Sequence, residues 1–185
     1  MSHAISEPSR WTTLRSRVSV YLFALGIAGL SVLNSGCAFR VPVPENFVER
    51  DSSWQSLSAL TAEEDKFLVR HFVLGERQTL KFWTEAVRYN LVQERGHTLI
   101  EEKDFKTQNG VPGHRFLFEL SMNDVPYRYL LVVFSTQGWW RQHIYTVEFL
   151  SEKKDFEKHA PAVEKAIEEF RPLRGRVGQV ANLSK

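Results

Sequence analysis

One thiol, six imidazoles and one tryptophan doublet are the residues of this 185-residue chain from which chemistry could be built. The thiol is Cys37, and the imidazoles include His71, His97, His114, His143 and His159. Metal binding and catalysis require several such side chains to converge, so spacing is the first test. It is mostly failed: there is no His-Glu-x-x-His, no Gly-x-Ser-x-Gly, no phosphate-cradling glycine loop and no cysteine pair. No catalytic residue, metal ligand set or cofactor follows from the motifs. The best acidic-histidine cluster is "HTLIEEKD". On a strand, alternation puts His97, Glu101 and Lys103 on one face and Glu102 and Asp104 on the other, which splits the carboxylates. His71, His114, His143 and His159 fall at strand or helix ends and read as surface or satisfied core residues. "TQGWWRQH" is the more informative oddity. Adjacent tryptophans in a strand point to opposite faces, so Trp139 and Trp140 either straddle a sheet edge or form, with Arg141, an exposed contact patch of hot-spot composition.

Cys37 takes its meaning from what precedes it. Residues 18–33, "VSVYLFALGIAGLSVL", carry no charge and follow a stretch holding Arg10, Arg15 and Arg17; small residues come next. That order of basic, apolar and small residues is the pattern of a bacterial export signal. The four residues "NSGC" at 34–37 resemble the lipobox of bacterial lipoproteins, with Ser35 and Gly36 in place and Asn34 departing from the family's apolar residue. The resemblance implies cleavage before Cys37 and its acylation; two or more chains hold stably where one gives marginal attachment. Ala38, where Asp would cause inner-membrane retention, implies an outer-membrane lipoprotein facing the periplasm, with the inner membrane as the alternative. The uncharged stretch reaches 22 residues if extended to Phe39, so an uncleaved signal anchor is the competing reading.

Charge excludes one class of partner. The whole chain has a formal net charge of +2, but residues 1–36 hold three arginines against Glu7, leaving 21 basic and 21 acidic side chains beyond. Nucleic-acid binding needs clustered Lys and Arg on an ordered face, and a neutral domain does not supply it. A lone cysteine also removes disulfides and thiolate-rich metal sites, so stability must come from the core.

The remaining chain divides into an acylated cysteine with an extended Pro-containing tether over 37–52, a folded domain over 53–171 and a flexible basic tail over 172–185. "KFLVRHFVL" (66–74) reads as a strand. The preceding "SWQSLSAL" either pairs with it as a hairpin or, through Thr61 and Glu64, leads into a helix by a capping box. Leu80, Trp83, Val87 and Leu91 recur at helical spacing before Gly96, a helix-ending residue. "HTLIEEKDFKT", "HRFLFELSM", "YRYLLVVFST" and "HIYTVEFLSE" follow as four strands joined by short turns, hence antiparallel neighbours. "YLLVVF" is apolar on both faces, which predicts a central strand with helices on each side. The last segment places Phe156, Val163, Ile167 and Phe170 in a stripe, with Pro161 interrupting the start of its helix.

This succession, and in particular "TLKFWTEAVRYNL", "YRYLLVVF" and "IYTVEFLSEKKDFEKHAPAVEKAIEEF", resembles the PsbP-like family. The resemblance implies an α+β fold, an α/β/α sandwich on a mainly antiparallel sheet, and the family's members are mainly accessory or assembly factors and uncharacterised lipoproteins. The expected function is therefore a lipid-anchored envelope protein without catalysis, bound to the membrane through its anchor and to a protein or envelope component through a surface such as Trp139, Trp140 and Arg141. An envelope enzyme or small-ligand receptor would instead need the histidines to line one pocket between sheet and helix, beside a carboxylate.

Overall fold

The computed structural model describes residues 37–75 and 78–174. Its centre is a seven-stranded antiparallel sheet with the order β2-β3-β4-β8-β7-β6-β5. The strands are β2 (Val48–Ser52), β3 (Ser56–Leu60), β4 (Lys66–Leu74), β5 (Thr98–Lys106), β6 (Pro112–Met122), β7 (Val125–Gln137) and β8 (Gln142–Glu152). A two-residue strand β1 (Phe39–Arg40) pairs with β9 (Arg171–Pro172) in a small separate ladder. One helix, α1 (Leu80–Tyr89), continues into a π-helical turn over Asn90–Glu94; the other is α2 (Lys153–Glu168).

Local sequence explains each element. In β3 only Leu57 and Ala59 face inward, the alternation of a strand with one covered face. The run Leu130–Phe134 in β7 is buried at every position, because it lies between β8 and β6 with a helix over each face. Thr79 caps α1, its Oγ1 accepting from the Phe82 N–H at 3.1 Å. Gly96 ends the helical segment at φ 69°, a conformation glycine adopts without steric cost.

Two cores result. The larger packs Phe156, Val163, Ile167 and Phe170 from α2 and its end onto Phe67, Leu130, Phe134, Tyr145, Val147 and Phe149. The smaller packs Leu80, Trp83, Val87 and Leu91 onto Phe116, Phe118, Leu131, Val133 and Ile144. The helical stripes are thus as the sequence predicts, β7 is an interior strand covered on both faces although the middle place in the sheet belongs to its neighbour β8, and the fold is the expected α+β sandwich.

Several local features differ. Thr61 starts no helix: its N–H and that of Asp65 belong to a tight hairpin turn joining β3 to β4, with the Asp65 N–H donating to Thr61 Oγ1 at 3.1 Å. Pro161 lies well inside α2, which begins eight residues earlier. An interior proline removes the bond its N–H would give to the Glu157 carbonyl, and burial of the apolar stripe outweighs that loss. The segment read as a tether is extended but docked. Ala38, Phe39 and Phe47 are buried in the larger core, and β2 pairs with β3 across a bulge between Glu49 and Asp51. Residues 171–174 are likewise held, since the Leu173 N–H donates to the Ala38 carbonyl and the Arg174 carbonyl accepts from Thr136 and Tyr145. The rest of the expected basic tail and the expected signal segment lie outside the described residues. Among the described residues no helix is long and apolar enough to cross a membrane.

Candidate functional site: the aromatic end beside Cys37

The tryptophan doublet is in a turn rather than a strand, so strand alternation does not apply to it. Gly138 N–H donates to the Arg141 carbonyl at 2.8 Å and closes the four-residue connection between β7 and β8. A Cβ on Gly138 would sit 2.7 Å from that carbonyl oxygen and 2.9 Å from His143 Nε2, so the tight turn admits only glycine. Both rings consequently stand out from the sheet, Trp139 at 81% and Trp140 at 79% exposure, with centroids 5.9 Å apart. Arg141 is also exposed. Neither ring caps the core.

Two further exposed apolar residues that the sequence did not single out, Trp54 and Leu173, are both tied to Ala38. Trp54, 55% exposed, leans edge-on against His71 at 6.1 Å between centroids. Leu173, 53% exposed, is pinned to Ala38 through its N–H. The Ala38 N–H in turn donates to the Trp54 carbonyl at 2.9 Å. Cys37, an exposed free thiol, therefore sits one residue from a buried alanine that is hydrogen-bonded on both sides to residues of the aromatic end.

A histidine pair lies under this end. The register of β4 against β8 brings His71 and His143 together, with His71 Nε2 2.9 Å from His143 Nδ1 and the rings nearly parallel. His71 also stacks on Tyr145 at 4.7 Å. Burial, then the neighbouring His143 and Arg174, push His71 down to about 4. Burial, then Arg174 and Arg141, push His143 below its ordinary value as well. Both rings are accordingly neutral at pH 7, one donating to the other. Burial also raises the Tyr145 hydroxyl to about 12, so it remains a donor to the Arg174 carbonyl.

The other histidines are elsewhere. His114 takes the place that strand reasoning left open in the acidic cluster: its Nδ1 is 2.9 Å from Asp104 and its Nε2 3.0 Å from Glu102. Glu102 and Asp104 share a face as expected, and on the other face Glu101 pairs with Lys103. His97 is apart from them, edge-on to Phe118, its pKa lowered by burial and then by Arg95. His159 is buried in the first half of α2 beside Glu63 and Asp65. The groove between Pro42–Glu45 and α2 has no histidine in its lining. Of the histidines that an enzyme or receptor would need around one pocket, His71 and His143 meet each other, while His97 and His114 contact other partners. A buried carboxylate that spacing could not disclose, Glu148, accepts from Arg70, from Tyr129 at 2.8 Å and from Thr146 at 2.9 Å on the sheet face not covered by α2.

An antiparallel seven-stranded sheet with one helix on each face defines the PsbP-like class of α+β fold. Solved structures similar to the chain include the following two. LpqN, described as involved in cell envelope biogenesis of Mycobacterium tuberculosis, superposes with a TM-score of 0.59 at 8% identity, covering 71% of this chain and 81% of LpqN. Cyanobacterial PsbP (CyanoP) from Synechocystis sp. PCC 6803 superposes with a TM-score of 0.53 at 10% identity, covering 73% of this chain and 86% of CyanoP. No protein-family model and no curated protein sequence matches the chain. At such identities the likeness is one of fold.

Proposed function

We propose that the chain is a lipid-anchored binding or accessory protein of the bacterial cell envelope that acts without catalysis, at the surface of the membrane holding its anchor. The observation that carries the reading is the placement of Cys37. It is exposed, and the next residue is fully buried and tied by backbone hydrogen bonds to Trp54 and Leu173. An acyl chain on Cys37 would leave almost no slack between lipid and domain, and would bring the aromatic end up to the headgroups. Tryptophan suits that depth, since its ring is amphipathic, and Arg141 suits an anionic surface. Lipid attachment by acyl chains is strengthened by such a second contact. Ala38 fits outer-membrane transfer, and an envelope role is in keeping with the part described for LpqN. The contact surface is Trp139, Trp140 and Arg141, widened by Trp54 and Leu173.

Metabolic labelling with an alkyne fatty acid, combined with intact mass, tests the anchor. Wild type should be labelled and shortened to begin at Cys37, and Cys37→Ser should be neither. A full-length unlabelled wild type would refute lipidation and leave the apolar segment that begins at residue 18 as an uncleaved anchor. In a labelled protein, replacing Trp139 and Trp140 by serine should reduce crosslinking to envelope components while leaving the fold intact. Unchanged crosslinking would remove the patch.

A further inference from the structure

The β3–β4 turn and α2 enclose three side chains whose arrangement neither the fold nor the aromatic end accounts for. The turn is held in an unusual shape: Glu64 has φ 67°, in the left-handed region that a non-glycine residue adopts only when its surroundings impose it. Thr61 Oγ1 accepts from the Asp65 N–H at 3.1 Å and donates to Asp65 Oδ2 at 3.2 Å. Together these aim Glu63 and Asp65 at α2. His159 meets them there, 1% exposed, with Phe47 packed edge-on against its ring.

The distances do not suit a hydrogen-bonded ion pair. His159 Nε2 lies 3.5 Å from Asp65 Oδ2 and 3.7 Å from Glu63 Oε2, and neither ring nitrogen has a hydrogen-bond partner. A charge-assisted N–H···O contact closes to about 2.7–2.9 Å. His114, flanked by two carboxylates on the exposed part of the sheet, stands at hydrogen-bond distance from them, 2.9 and 3.0 Å. A nitrogen and an oxygen bound to one tetrahedral zinc, at about 2.05 and 2.1 Å, stand about 3.4 Å apart. The His159 separations match ligand-to-ligand spacing. One ligand atom from each of the three residues lies within 4.8 Å of those from the other two.

The geometry points to a divalent-cation site of the first transition series, formed by Glu63, Asp65 and His159 and taking zinc as its probe. Imidazole with two carboxylates is a borderline ligand set that zinc accepts, and three protein atoms leave a position for water. Thr61 holds Asp65 from behind, the outer-sphere contact that fixes a ligating carboxylate. One group competes: Lys158 Nζ pairs with Glu63 Oε1, the oxygen turned away from His159. A bound ion would join the hairpin to the helix, fastening the β2-β3 edge of the sheet to α2. The site stands independently of the lipid anchor.

The test is zinc titration of the purified full chain in detergent, followed by calorimetry and by Tm, with cobalt absorption as the signature of nitrogen and oxygen ligands. Wild type should take up one equivalent at this site, and Tm should rise by about 5–10 °C at a hundredfold excess over Kd. Glu63→Gln, at a residue exposed enough to keep the fold, should weaken binding at least tenfold, and Asp65→Asn likewise. Lys158→Met should tighten it, because it removes the competing ammonium. No uptake by wild type would overturn the site. Equal affinity in wild type, Glu63→Gln and Lys158→Met would do the same, and would place any bound zinc elsewhere, for instance at His71 and His143.

Discussion

Acid should weaken this fold through His71 before the carboxylates begin to titrate. The ring is held at about 4 in the folded protein, against about 6.5 when exposed in the unfolded chain. Between those values the unfolded state binds the proton and the native state does not, so stability is complete above pH 6.5 and is lost as pH falls toward 4. Integrated from pH 7 to pH 5, this shift corresponds to at most about 2 kcal/mol; solvent screening at the rim beneath Trp54 reduces it to roughly 1 kcal/mol. His143 is lowered too and adds in the same direction. Urea denaturation at pH 7 and pH 5, in wild type and His71→Gln, measures the effect. With a slope of about 2 kcal/mol per M, the wild-type midpoint should fall by about 0.5–1 M. Glutamine cannot be protonated there, so its midpoint should move by clearly less. An equal fall in both proteins would show that His71 is not the group titrating. A flat wild-type profile would mean that the pair accepts a proton without penalty.

Three further perturbations probe the packing. Removing the Glu148 carboxylate by Glu148→Ala strands Tyr129 and Thr146 and leaves Arg70 without its partner, which should cost about 2–4 kcal/mol and lower Tm by about 5–10 °C in differential scanning fluorimetry. Gly113→Ala would place a Cβ 2.6 Å from two ring atoms of Phe134 in the larger core; overpacking of about 1–3 kcal/mol should appear as a lower urea midpoint. Replacing Trp139 and Trp140 together by serine should change stability by less than about 0.5 kcal/mol, because both rings are exposed, and a large loss in thermal melts would mean that they support the core after all.

What the sequence disclosed was whatever repeats along the chain. The strand over 66–74, the apolar stripe from Leu80 to Leu91 and the doubly buried run in β7 each announce themselves by local period, and each is found where periodicity puts it. Features made by pairing were silent. The meeting of His71 with His143 depends on the register of β4 against β8, which neither strand encodes alone. Glu63, Asp65 and His159 belong to a turn and a helix nearly a hundred residues apart, joined only by tertiary packing. Residues 38–52 gave no strand signal because β2 is exposed along its whole length, so its sequence shows no alternation of buried and exposed positions. The orientation of the tryptophans was open for a shorter-range reason. Nothing in "QGWWRQ" says that the turn is four residues long, and that length decides where the rings go.

The ladder between β1 and β9 has a consequence for the order of events in the life of the chain. Phe39 near the start of the domain and Phe170 at its end share one aromatic cluster with Tyr145, and neither can be buried until the other has been made. A ribosome that has released only the first hundred or so residues of the domain has therefore produced two unjoined ladders, β2-β3-β4 and β5-β6-β7, with the strand that joins them, β8, and the covering helix α2 still missing. Such a chain gains cooperativity late, when β8 and α2 arrive, because the longest-range contacts are the ones that close the structure. For a polypeptide that must be threaded unfolded across a membrane, as proposed here, completing the fold last is an advantage: the sequence itself delays the state that could no longer be exported.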